Sequence, residues 1–177
     1  PPVGELVPAQ VHVALVLAAE RKQVARKLFA MLDRRLQPVA RLRRKLVDQG
    51  YSEEAVDAVL ERMAAEGLYS DRRYAEAFCR DCLLNRAVGR RYLVDKLREK
   101  QVPSGVAAEV AAEVLDDETE GELALQAARS RWKRQRDPQD RKSLAKVVRY
   151  LQGRGFPAGL ANRAGRAEQP APEDQEF

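Results

Sequence analysis

The sequence predicts an all-α chain, an elongated array of three tandem three-helix repeats. Three observations lead there. One pattern is written three times, as Leu42-x3-Leu46-x3-Gly50-Tyr51-Ser52, Leu93-x3-Leu97-x3-Gln101-Val102-Pro103 and Val147-x3-Leu151-x3-Gly155-Phe156-Pro157, at spacings of 51 and 54 residues. A fixed period of that size marks one supersecondary unit repeated along the chain. No segment shows the alternating, β-branched signature of an exposed strand, and only Val11 to Leu17 leaves helix and strand in competition. Each copy also carries the chemistry of a helix stop followed at once by a helix start.

The elements follow in order. Residues 1–19 form a variable N-terminal segment whose first ten positions hold three prolines. Repeat one spans 20–67 and opens with a helix over 20–35. Its second helix, Arg41 to Gln49, puts Leu42 and Leu46 on one face, and Gly50 supplies the left-handed residue that ends it. Ser52 caps the third helix, with Glu53, Glu54 and Asp57 near its positive end. Ala55, Val56, Val59, Leu60 and Met63 then recur at helical spacing. Repeat two spans 68–118. Its first helix, 71–86, is capped by Ser70 or Asp71, and Tyr74 is expected to face the preceding repeat. A shift of 51 places Leu28 on Cys79, Met31 on Cys82 and Leu32 on Leu83, so the opening helices of the first two repeats match. Repeat three spans 119–165. Its opening helix, 119–136, is out of register by a few residues. Pro103 and Pro157 are expected as the first helical residue, where a missing N–H costs little. Residues 166–177 are polar, bear prolines and read as a disordered tail.

Composition bounds the function. Charged residues make up 33% of the chain and mean hydropathy is −0.52, while aromatics are only 6%. Each repeat therefore has a thin core that leans on its neighbours. A net charge of +5 favours an acidic partner without naming one. No apolar run reaches the roughly 18–20 residues of a membrane span. Val11 to Ala19 is short, interrupted by His12 and lacks a preceding basic region, so it does not read as a signal peptide. The expectation is a cytoplasmic monomer without a membrane partner.

The charges are not evenly spread. Four stretches, 34–45, 86–100, 129–136 and 141–154, hold 22 of the 32 basic residues but only Asp95 and Glu99 of the 27 acids. Acids gather instead on the last helix of a repeat and the corner after it. Sign therefore alternates in phase with the repeat, basic on the middle helix and acidic on the last. Two readings stand: a basic stripe that is the footprint of nucleic-acid binding, or basic and acidic helices that pair with each other inside the array.

Few residues could carry chemistry. Cys79-Arg80-Asp81-Cys82 is a C-x-x-C, but it has neither the other ligands of a zinc site nor the βαβ setting of a redox pair. The alignment with Leu28 and Met31 makes both cysteines core or near-core thiols, and reduced thiols fit a cytosolic protein. His12 stands alone as a histidine. Gly153 and Gly155 flank Arg154 without the Lys-Ser/Thr of a phosphate loop. Neither an enzyme nor a cofactor is expected. Trp132 lies among Arg129, Arg131, Lys133, Arg134 and Arg136, either as the apolar anchor of a polar helix or as a stacking platform for an unpaired base.

Four runs carry a resemblance: Leu42-Arg43-Arg44-Lys45-Leu46-x3-Gly50-Tyr51-Ser52, Asp71-Arg72-Arg73-Tyr74-Ala75, Gly89-x2-Tyr92-Leu93-x3-Leu97-Arg98-x-Lys100 and Leu151-x2-Arg154-Gly155-Phe156. In order and spacing, over roughly 25–165, they resemble the RecX family of recombination regulators. Gln101 stands where that family has Gly, Pro38 where it has a Ser cap, Arg41 where it favours Glu, and Gly153 where the residue is often basic. The resemblance implies three tandem three-helix repeats, no enzyme activity and no cofactor. It implies a negative regulator that binds the RecA recombinase and its filaments on single-stranded DNA and restrains filament growth, ATPase and strand exchange. It connects the chain to homologous recombination, DNA repair and the SOS response. Double-stranded DNA is a further expected partner. A stand-alone DNA-binding helical module and a non-catalytic interaction scaffold remain as alternatives. The basic stretches nominate Arg43, Arg44, Arg90, Arg91, Arg98, Arg131, Arg134 and Arg149 as contacts to RecA or DNA.

Overall fold

The computed structural model describes residues 9–171. Among them are nine α-helices and no strand: α1 (Ala9–Arg34), α2 (Val39–Asp48), α3 (Glu53–Ala65), α4 (Asp71–Asn85), α5 (Arg90–Glu99), α6 (Ser104–Val114), α7 (Asp117–Trp132), α8 (Arg141–Gly153) and α9 (Ala158–Ala167). They group as three successive helix triplets. By contact they form two compact units, one ending at Tyr74 and the other starting at Ala75.

In the first unit α3 packs against both α1 and α2. Val24 and Leu28 of α1, Leu42 and Leu46 of α2, and Ala55, Val56, Val59 and Met63 of α3 make its core. The corner between α2 and α3 forms as its sequence requires. Gly50 adopts φ +93°, and the N–H groups of Gly50 and Tyr51 return to the carbonyls of Val47 and Leu46. Ser52 then accepts the Ala55 N–H at 3.3 Å. Tyr74 is buried, as expected of a joint residue. The first helix departs from expectation by starting at Ala9 rather than at residue 20. Ala14, Leu15, Leu17, Ala18 and Ala19 are good helix formers with no stop signal before Glu20, so the helix simply continues. This resolves Val11 to Leu17 as helix. Residues 1–8 and 172–177 lie outside the described residues.

In the second unit α5 packs on α6, while α7, α8 and α9 pack on one another. The last triplet closes around Trp132, Val147, Leu151 and Phe156, with alanines from α7 and α9 allowing close approach. Trp132 is buried and donates its indole N–H to the Gly165 carbonyl at 2.8 Å. It is therefore the anchor of α7 and not a stacking platform. Pro103 and Pro157 prove to be N-caps rather than first helical residues, since their ψ values of 137° and 146° are extended. α7 ends at Trp132, short of the expected 136, and α9 runs on to Ala167.

The matched opening helices share burial. Leu28 and Cys79 are fully buried, while Met31, Cys82, Leu32 and Leu83 are each half-buried. Burial pushes the Cys79 thiol up to about 11, so it stays protonated and packs as a small apolar side chain. A shift of 49 rather than 51 aligns the third opening helix, setting Ala75 on Ala124 and Cys79 on Ala128, all buried.

Candidate nucleic-acid interface

The N-termini of α2 and α5 lack a cap of their own. Pro38 and Gly89 hold the N-cap positions, and neither has a side chain that accepts a hydrogen bond. In both cases the following triplet supplies the acceptor. Asp71, opening α4, accepts the Val39 N–H at 2.9 Å, and Glu120 in α7 accepts the Arg90 N–H at 2.7 Å. Asp71 and Glu120 are equivalent under the shift of 49, so each triplet fastens the one before it through one carboxylate. The α4 cap itself comes from Ser70, whose hydroxyl accepts from Arg73 N–H. Tyr69 adds to the first joint by exchanging hydrogen bonds with the backbone of Gln37. α8 carries its own cap in Asp140, which accepts from Lys142 N–H at 3.0 Å.

The second joint is tight enough to exclude any side chain from Gly89. Its N–H donates to the Arg154 carbonyl at 2.9 Å, and a Cβ on Gly89 would lie 2.4 Å from the Gly155 carbonyl oxygen. Gly155 itself sits at φ +85° against the backbone of Tyr92.

These joints sort the eight nominated arginines. Arg43 is held inside the first triplet: its guanidinium takes both oxygens of Asp57 at 2.7 and 2.9 Å and Glu53 at 2.6 Å. Those hydrogen bonds raise the Arg43 pKa and, through Arg43, hold the Asp57 carboxyl below its usual value. Arg90 is held at the second joint by both Glu120, at 2.9 and 2.7 Å, and Asp117. For these two residues the internal pairing of basic with acidic helices describes the molecule. Arg91 reaches outward, its side chain 83% exposed and its nearest carboxylate, Asp95, at 3.9 Å. Arg44, Arg98, Arg134 and Arg149 are exposed and have no carboxylate partner among the described residues. Arg131 is half-buried, with its guanidinium 5.2 Å from the centre of the Tyr150 ring.

Within the second unit the basic residues gather in two places. Arg149 lines a groove along α8 and α9 with Arg141 and Arg166. Arg134 lines a cleft with Arg86, Arg154, Tyr92 and Tyr150. The sequence reading missed Arg86 and Arg154 as candidates. It also looked for the aromatic partner at Trp132, whereas the tyrosines that meet arginines are 92 and 150. The signal was present, since Tyr92 and Tyr150 both lie inside basic stretches. Among the described residues no cluster of His, Cys, Asp and Glu could hold a metal, and no helix is long and apolar enough to cross a membrane.

Family models for the first, second and third three-helix domains of RecX match residues 26–63, 70–115 and 118–164. The regulatory protein RecX of Amycolatopsis mediterranei is 30% identical over 80% of this chain and 81% of its own length. That of Thermus thermophilus is 39% identical over 73% of this chain and 81% of its own. The crystal structure of RecX from Lactobacillus salivarius superposes with a TM-score of 0.76 at 18% identity, covering 85% of this chain and 97% of that one. A second RecX crystal structure gives 0.75 at 20% identity, covering 94% and 81%.

Proposed function

The chain belongs to the RecX family, and from that premise we propose that it is a non-catalytic negative regulator of the RecA recombinase. It binds RecA and RecA filaments on single-stranded DNA and restrains filament growth, ATPase and strand exchange. It works without a cofactor, in the cytoplasm. Its place is then in homologous recombination, DNA repair and control of the SOS response.

The observation that supports this reading is the division among the arginines. Arg43 and Arg90 are neutralised where they stand, but Arg44 and Arg98 on the same helices, Arg149 on α8 and Arg134 just past α7 project with no close carboxylate, and Arg91 meets only the exposed Asp95 at 3.9 Å. Exposed, uncompensated guanidinium groups meet phosphates or carboxylates of a partner. The helix-turn-helix alternative loses support from the same residues. Glu53 and Asp57 of α3 are occupied by Arg43, and an acidic second helix is repelled by a DNA groove.

Charge reversal tests the assignment. Arg90 is a poor position, because a glutamate there would face Glu120 and Asp117 and open the joint. The triple variant Arg44→Glu, Arg98→Glu, Arg149→Glu leaves every internal ion pair in place. It is expected to keep the helical circular dichroism of the parent and to lose at least about tenfold in affinity for RecA filaments assembled on single-stranded DNA, as one or more charge-assisted contacts are lost. Unchanged affinity in that folded variant would remove these arginines from the interface.

A further inference from the structure

The Arg134 cleft combines arginines with aromatic side chains, whereas the groove of Arg141, Arg149 and Arg166 shares its lack of acids but has no aromatic residue. The cleft has a volume of about 460 Å³ and is lined by Arg86, Arg134 and Arg154, by Tyr92 and Tyr150, and by the polar side chains of Gln126 and Ser130, among others. Not one lining residue is acidic. Several other arginines packed against neighbouring helices are matched by carboxylates, as Arg43 is by Asp57, Arg90 by Glu120 and Arg129 by Glu168. Here three guanidinium groups face the same space with none.

These arginines are also placed in advance. Arg154 donates to the Ala87 carbonyl at 3.2 Å, and its guanidinium lies 5.0 Å from the centre of the Tyr150 ring. Arg86 donates to the Tyr92 hydroxyl at 3.2 Å. Arg131 also lies over Tyr150, and its Nε is buried without a hydrogen-bond partner. Arginines held over aromatic rings and by backbone carbonyls lose little freedom when an anion arrives. Arg134 alone is unrestrained, positioned to close on a ligand. The volume exceeds what one inorganic phosphate fills and lies in the range of nucleotide-sized ligands. Gln126 and Ser130 offer both donors and acceptors to a sugar or base edge.

We propose that this cleft is a phosphodiester-binding subsite that grips one nucleotide of single-stranded DNA, with Arg86, Arg134 and Arg154 on the phosphates. The inference rests on the reading that the chain contacts single-stranded DNA, and it assigns that contact a place. Tyr150 positions two arginines here, so the strand is held by charge and shape rather than by stacking on that ring.

The test is fluorescence anisotropy of labelled dT20 with the full chain at about 50 mM salt, where phosphate contacts are strong. Three variants are compared with the parent. Arg134→Gln removes an exposed, unpaired charge from the cleft. Gln126→Trp fills the cleft without changing charge. Arg163→Gln removes an equal charge from the exposed face of α9, outside the cleft. Circular dichroism checks that each is folded. The expected result is that Arg134→Gln and Gln126→Trp each weaken binding about tenfold while Arg163→Gln changes it by less than about twofold. Arg134→Gln also lowers the salt slope by about one, and Gln126→Trp does so only if it displaces the phosphate contact. Parent binding with both cleft variants equal to Arg163→Gln would overturn the subsite and leave the broader reading of DNA contact standing. No binding by the parent would overturn that broader reading and the subsite with it. Cleft variants that keep dT20 affinity but lose the RecA filament would identify an acidic protein segment as the occupant and overturn the proposal.

Discussion

Gln101 holds φ +67°, in the left-handed region, at the corner where Gly50 and Gly155 hold φ +93° and +85° in the other two repeats. An L side chain in that conformation costs about 1–2 kcal/mol, partly offset by the lower unfolded-state entropy that glycine lacks, about 0.5–1 kcal/mol. Gln101→Gly should therefore stabilise the second unit by about 0.5–1 kcal/mol. A rise in the urea midpoint at constant slope would show it, and a lowered midpoint would contradict it. The corner residues were legible in the sequence because helix stops depend on neighbours within a few positions. Ion pairs were not. Arg43 meets Asp57 at a separation of 14 residues and Arg90 meets Glu120 at 30, and no local pattern encodes which exposed-looking arginine will be chelated. The cysteines were legible for a different reason. The internal alignment put Cys79 on Leu28, and both are fully buried.

At the level of elements, the middle helices of the first two repeats are completed by the repeat that follows. Asp71 caps α2 and Glu120 caps α5, where Pro38 and Gly89 cannot. The two joints differ in what the carboxylate does besides capping. Asp71 is half-buried and accepts one backbone bond, so Asp71→Ala should cost about 1 kcal/mol, a normal cap loss. Glu120 is buried, its side chain only 2% exposed, and it also holds the partly exposed Arg90. Glu120→Ala should cost about 2–3 kcal/mol, because it strands a backbone N–H at a packed joint and leaves the Arg90 guanidinium with Asp117 as its one remaining carboxylate. Urea denaturation of the two variants side by side decides it, and equal losses would contradict the distinction. In the sequence Pro38 stood out only as a missing serine cap. The substitute was hidden because it lies about 30 residues away and changes identity, Asp in one repeat and Glu in the next. The same cause explains the third repeat. Its opening helix looked misaligned until the shift of 49 set Glu120 on Asp71.

Among the described residues the three-helix repeat was legible apart from the early start of α1 and the register of α7, and the arrangement of charge only in outline. Segregation of basic and acidic stretches is a property of composition along the chain, and its phase holds for the first two repeats but not the third, where α9 carries Arg163 and Arg166 and no acid. Which basic residues remain available is a property of packing. Packing withdraws Arg43 and Arg90, leaves Arg44, Arg91, Arg98, Arg134 and Arg149 outward, and adds Arg86 and Arg154 to a cleft that the sequence did not show. Internal pairs cancel one for one, so the net charge of +5 rests on the residues that packing leaves unpaired. Under the proposed function the partner for this surface is a nucleoprotein filament, which carries both phosphates and acidic side chains. On the proposed function the chain restrains that filament. The most direct measurement of that restraint is the ATPase of RecA on single-stranded DNA, titrated with the intact chain. The expected result is a fall in ATPase at less than one chain per RecA protomer, the signature of blocked filament growth. A rate unchanged at a molar excess of the chain would contradict it.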